Sequence, residues 1–340
     1  MKKTGILIAA LYLSMAASSA WADATVESFT KFGGLKGNGA YEGTLVSRIQ
    51  GDKQFESSSI KFTGAILSWA AGGSEQATIT RIDKGIVWVL DPKNKTYTEE
   101  PIATFKPEDP SAKEDAGKED AGENPNVRVT KSEFTVKKTG KSETINGFAC
   151  EEYLVTWLIE IENLDTKAKT RNTMTTNLWT TPETASIKKL QAEEKAFTKA
   201  YMKKIGMDMS SEEMKQYGMS VFSMMSGASE KDLEKGFKGL KKEMAKVKGY
   251  PIRTAVNWRI EDDQKPAARN DQTGSSGGID ISGGWSGILS GVLSQKAAES
   301  VKADENAPFF SSTTEVKSIK VDSLAADTFN VPSGYKLKSK

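Results

Sequence analysis

The chain contains no histidine in 340 residues. That absence removes the Ser-His and Cys-His nucleophile systems and every histidine-ligated metal site. There is one cysteine, Cys150, so an internal disulfide is excluded and stability has to come from packing. A lone cysteine of this kind is expected to be buried on or beside a strand, since cysteine is among the most buried residue types. No phosphate-binding glycine loop and no nucleophile elbow occur. The carboxylate pairs Glu151-Glu152 and Asp262-Asp263 are adjacent residues, which strands send to opposite faces, so neither is a ready acid/base pair. A catalytic role is not expected, and neither a cofactor nor a metal ligand set is assigned.

An excess of one charge is lacking too. Lys and Arg number 47 against 45 Asp and Glu, and two of the lysines, Lys2 and Lys3, fall in the leader described next. The remainder is balanced, which argues against a nucleic-acid partner. Long apolar runs are confined to the N-terminus, "MKKTGILIAALYLSMAASSAWADA". A basic start, an apolar stretch and the small-x-small motif Ala20-Trp21-Ala22 predict a signal peptide over residues 1–22, with Asp23 the first mature residue. No cysteine lies near that point to accept a lipid. The expectation is a periplasmic protein without a transmembrane segment in the mature chain, residues 23–340 forming a single domain.

What the sequence does contain is alternation. Tyr41, Leu45 and Ile49 share one face of a strand, as do Tyr153, Val155, Trp157, Ile159 and Ile161, and Ile252, Val256, Trp258 and Ile260. Further strands are expected at about 58–69, 76–83, 86–90, 95–99, 127–137, 170–180 and 309–321. Asp91-Pro92, with Asn94 able to take a left-handed conformation, and Asn146-Gly147 mark turns between them. Roughly ten short strands joined this way predict a meandering, strongly curved antiparallel sheet.

Three stretches break the pattern. Residues 110–126 carry a tandem KEDAG and read as a disordered surface loop. Residues 182–248 read as a helical insert capped by Thr181, with a seam of Leu233, Phe237, Leu240, Met244 and Val247. Residues 274–303 read as a glycine-rich hinge and an amphipathic helix, on which Trp285, Ile288, Leu289, Val292 and Leu293 form one stripe, packed as core or acting as a lid.

The motifs "GIVWVLDPKNKTYTEE" (85–100), "INGFACEEYLV" (145–155), "LWTT" (178–181), "GYPI" (249–252) and "FNVPSGY" (329–335) occur in an order that resembles the bacterial exported family called domain of unknown function 4412. That family is similar, more distantly, to lipoprotein carriers and sorting proteins of the LolA/LppX-like fold. The resemblance implies an α+β fold: a curved, mostly antiparallel half-barrel, with helices covering an apolar concave face. It also implies carriage by analogy of fold.

Three functions follow as expectations. The first is binding of a hydrophobic small molecule or lipid, with Trp157, Trp179 and Trp258 lining the cavity and Trp285, Ile288 and Leu289 gating it. The second is a non-catalytic structural role with an envelope protein partner. The third is copper binding through the seven methionines between Met202 and Met225, which no histidine assists.

Overall fold

Turn chemistry explains the hairpins. In a computed structural model that describes residues 23–35, 39–63, 73–104, 127–207, 239–262, 308–325 and 327–338, Asn146 and Gly147 both have positive φ, 50° and 87°. That is the conformation of a two-residue hairpin turn whose twist matches the flanking strands. It joins β7 (Val127–Ile145) to β8 (Phe148–Asn163). At the Asp91-Pro92 turn the left-handed residue is Lys95 rather than Asn94. Asn94 instead donates from its backbone and its side-chain amide to the Asp91 carboxylate, at 3.0 and 2.6 Å. This turn joins β5 (Ile86–Asp91) to β6 (Thr96–Pro101).

The remaining strands are β1 (Ala24–Leu35), β2 (Tyr41–Gln50), β3 (Lys53–Phe62), β4 (Gly73–Arg81), β9 (Lys169–Thr181), β10 (Tyr250–Asp262), β11 (Phe310–Lys320) and β12 (Lys336–Leu337). All twelve form one sheet in the order β12-β6-β5-β4-β3-β2-β1-β11-β10-β9-β8-β7. Two antiparallel meanders, β1 to β6 and β7 to β11, are thus joined by the pairing of β1 with β11. Only β12 runs parallel to its neighbour, β6. Among the described residues β6 and β12 at one end do not pair with β7 at the other, so the sheet stays open.

The expected α+β half-barrel with helices covering its concave face is therefore incorrect. The described chain is mostly strand, with two helices, α1 (Ala185–Lys204) and α2 (Leu240–Met244). Helix α1 packs chiefly on β1, β2 and β11, and α2 on β7. The physical reason lies in the strand sequences. Strands such as "KQFESSSIKF" and "KTRNTMTTNLWTT" interleave hydroxyls with large apolar groups on both faces. Hydroxyl-bearing faces are satisfied by water and by cross-strand partners, and need no helical cover.

The helical insert also departs from expectation. Thr181 ends β9, and the N-cap is Thr184, whose Oγ1 accepts from the Ile187 backbone N–H at 3.3 Å. Of the expected seam, Leu233 and Phe237 lie outside the described residues. Met244 is exposed, while Val247 packs against Val136, Tyr153 and Val155. Residues 1–22, the KEDAG stretch and residues 274–303 also lie outside them.

Burial is divided among separate clusters. One gathers Ala77, Ile79, Trp88, Leu90 and Phe329. A second gathers Ile145, Cys150, Ile252 and Val316. Cys150 is buried on β8, as expected. The chain returns to the sheet after α2 through Gly249 (φ 87°), where a Cβ would stand 2.3 Å from the Thr181 carbonyl oxygen, so only glycine fits.

Candidate functional site: an aromatic row and an adjoining cleft

Paired residues on adjacent strands put their side chains on the same face, so register can be followed across the sheet. Phe134 pairs with Trp157, Trp157 with Met174, Met174 with Trp258, and Trp258 with Phe310. The line continues through ring contacts. The Phe310 ring lies 5.4 Å from Phe32, Phe32 lies 5.1 Å from Tyr41, and Tyr41 lies 6.5 Å from Phe62. One row of large apolar side chains thus crosses eight consecutive strands, from β7 to β3. Phe32 is buried and the others are half-buried. Phe309 meets Trp258 edge-on at 5.1 Å, and the Trp258 indole N–H donates to Asn172 Oδ1 at 3.3 Å. Its one polar atom is satisfied without leaving the row.

Farther along β1, β2 and β3 the same face meets α1, and a cleft of about 430 Å³ lies between them. Its walls mix apolar groups (Val26, Leu45, Ile49, Phe197) with polar ones (Ser28, Ser47, Gln54, Glu56, Glu194, Thr198). Ile187 and Leu190 are fully buried and seat α1, while the Glu193 carboxylate accepts from the Gly51 backbone N–H at 3.3 Å. The helix is fixed at the β2–β3 turn, so the cleft is preformed. Leu45, 38% exposed, stands at its margin.

Cleft and row are linked by a floor of small groups. Thr30 and Thr314 share a hydroxyl hydrogen bond of 3.0 Å. Beside them is Gly43, where a Cβ would come within 2.9 Å of the Ser59 carbonyl oxygen. Ser28 in the cleft and Phe32 in the row are four residues apart on β1, roughly 13 Å of strand.

The electrostatics of the cleft are one-sided. Burial holds Glu56 and Glu194 above the ordinary glutamate value. Glu56 accepts from the Gln54 amide at 3.2 Å, and no Lys or Arg lines the cleft. Burial, with the Glu194 charge added, pushes Tyr250 up to about 12.

Of the residues expected to bind ligand, Trp157 and Trp258 stand in one row, each paired with Met174. Trp179 does not join them. It alternates to the opposite side of β9 from Met174, pairs with Glu152 and Arg253, and packs in the Cys150 cluster. Trp285, Ile288 and Leu289 lie outside the described residues, as do Met209 to Met225 of the methionine-rich stretch. Among the described residues no group of three or more acidic, histidine or cysteine side chains is placed to hold a metal ion. Sequence reasoning missed Phe32, Phe62, Phe134, Met174 and Phe310 in the row, and Glu56, Glu194 and Phe197 in the cleft. Most lie on expected strands, but their alignment depends on pairing register, which single-strand periodicity does not carry.

Compared with known proteins, the chain matches no protein-family model and no curated protein.

Proposed function

We propose that this protein is an exported, non-catalytic binding protein for a hydrophobic or amphiphilic ligand, a lipid or acyl chain, in the cell envelope. The observation that carries this reading is the alignment of Trp157, Met174 and Trp258 in one row, on the face that also forms the α1 cleft. Aromatic rings give large contact area with few rotatable bonds, and methionine adapts to ligand shape. Transferring apolar ligand surface from water onto such a row gains roughly 25 cal/mol per Å². About 500 Å² would yield roughly 12 kcal/mol, which after an immobilisation cost of about 4 kcal/mol leaves micromolar affinity. Export rests on the leader sequence. The motif resemblance to an exported bacterial family points the same way.

The test is native mass spectrometry of protein purified from a periplasm, followed by extraction and lipid analysis. The expected result is a bound amphiphile mass that is absent from the Trp157→Ala/Trp258→Ala variant. Bare polypeptide that takes up no amphiphile from a panel of fatty acids, alcohols and amines would refute the reading.

A further inference from the structure

We infer that the cleft beneath α1 receives a primary ammonium group, so that the preferred amphiphile is an alkyl chain ending in an amine. This rests on the binding reading above and specifies the polar end of the ligand.

Charge complementarity carries the argument. Glu56 from β3 and Glu194 from α1 both face the cleft, on opposite walls of it, and no cationic side chain lines it. Among the described residues neither carboxylate has an ion-pair partner, and the hydrogen bond found between them is the one Glu56 accepts from Gln54. The neighbouring bases point elsewhere. Arg48 alternates to the other face of β2 from Ser47 and Ile49, with its guanidinium 5.0 Å from the Phe55 ring centre. Lys195 and Lys199 sit on exposed positions of α1. Two carboxylates drawn out of water without a cation are poorly compensated, and burial accordingly disfavours their charged forms. An incoming cation supplies what the protein withholds.

Shape supports the same ligand. A primary ammonium carries three donors and no acceptor, which suits the two carboxylates together with the Ser28 or Ser47 hydroxyl. The volume, about 430 Å³, is that of a site for one small ligand. A chain leaving the cleft past Leu45 crosses the Thr30–Gly43 floor and reaches Phe32, Tyr41 and Phe62 after roughly 13 Å. Head and tail thus find different surroundings on one face. A carboxylate headgroup in the same cleft meets two like charges, and an alcohol leaves them without a counter-charge.

The test compares dodecylamine, dodecanol and dodecanoate, each below its aggregation threshold, by calorimetric titration of the mature protein and of the Glu56→Gln/Glu194→Gln variant. Wild-type protein should bind dodecylamine at least about tenfold more tightly than either of the others, a modest charge-pairing effect. The variant should lose that preference and keep its far-UV signature. Lysophosphatidylethanolamine, run alongside, separates a phospholipid source of the amine from a free one. Equal binding of all three ligands, unchanged in the variant, would sink the ammonium assignment and leave amphiphile binding intact. No binding of any ligand would instead overturn the binding reading itself.

Discussion

Arg81 and Phe329 are 248 residues apart in sequence, yet the Arg81 guanidinium donates to the Phe329 carbonyl oxygen at 3.1 Å. The same Nη1 donates to Asn330 Oδ1 at 3.3 Å, while Nε reaches Asp83 at 2.8 Å. Around this bond Phe329, Val331 and Tyr335 pack against Ile79, Trp88 and Leu90. The "GIVWVLDPKNKTYTEE" hairpin and the "FNVPSGY" ending are therefore two halves of one structural unit. The hairpin is a docking surface for the chain's own C-terminal segment. Lys336 and Lys338 extend that docking by donating their backbone N–H groups to Lys95 and Tyr97.

Arg81→Gln should destabilise the protein by about 2–4 kcal/mol, because Arg81 is 8% exposed and its loss leaves a carbonyl and a carboxylate without their donor. Urea unfolding followed by circular dichroism checks this. The expected result is a lower midpoint with an unchanged slope. Since the bond lies far from the aromatic row, amphiphile binding per folded molecule should be unchanged.

Stability should respond to pH in two opposite senses. Asp83 is held low chiefly by the hydrogen bond from Arg81, and Glu315 chiefly by that from Lys317. Their contributions are present above the ordinary carboxylate values and lost as pH falls through the folded ones. Glu56 and Glu194 are raised by burial, so their contribution is full below the ordinary value of 4.5 and lost as pH rises through the folded values. The Glu56→Gln/Glu194→Gln variant should accordingly have a higher urea midpoint than wild type at about pH 7 and a similar one at about pH 4. Equal shifts at both values would mean that carboxylate desolvation is not the cause.

Cys150 is 2% exposed and burial pushes its thiol up. A thiol both covered and protonated reacts slowly. A bulky thiol reagent should label native protein at least about a hundredfold more slowly than protein in urea, the folded state having to open first. Comparable rates would show that the Ile145–Cys150–Ile252 cluster does not cover it.

Much of the sheet was legible, because Tyr153 to Ile161 and Ile252 to Ile260 carry large apolar residues at alternate positions, and Asn-Gly and Asp-Pro mark the β7–β8 and β5–β6 turns. Strand β1 was not. "ATVESFTKFGGL" follows the predicted leader directly, and its apolar residues Val26, Phe29 and Phe32 do not keep period two. With β1 missing, the junction of the two meanders was invisible, and so were the floor of the cleft and the Phe32–Tyr41 contact. The half-barrel expectation failed because large apolar residues were counted without the serines and threonines between them, which let an open sheet face water. Of the three tryptophans expected to line the site, Trp157 and Trp258 share one face. Trp179 was misplaced because face follows from register, and a residue one position out of phase with Met174 points to the other side.

Contact quenching is the most direct measure of the central claim, that ligand lies along the Trp157–Trp258 row. A bromine on an alkyl chain quenches only tryptophans it touches, so the protein is titrated with a brominated dodecane, which no headgroup anchors in the cleft two to four strands away, and its tryptophan fluorescence followed. The account predicts saturable quenching that persists in Trp179→Phe and is largely lost in Trp157→Phe/Trp258→Phe, both variants folding as wild type does. Saturable quenching unchanged by the double substitution but abolished by Trp179→Phe would place the ligand on the opposite face and contradict it.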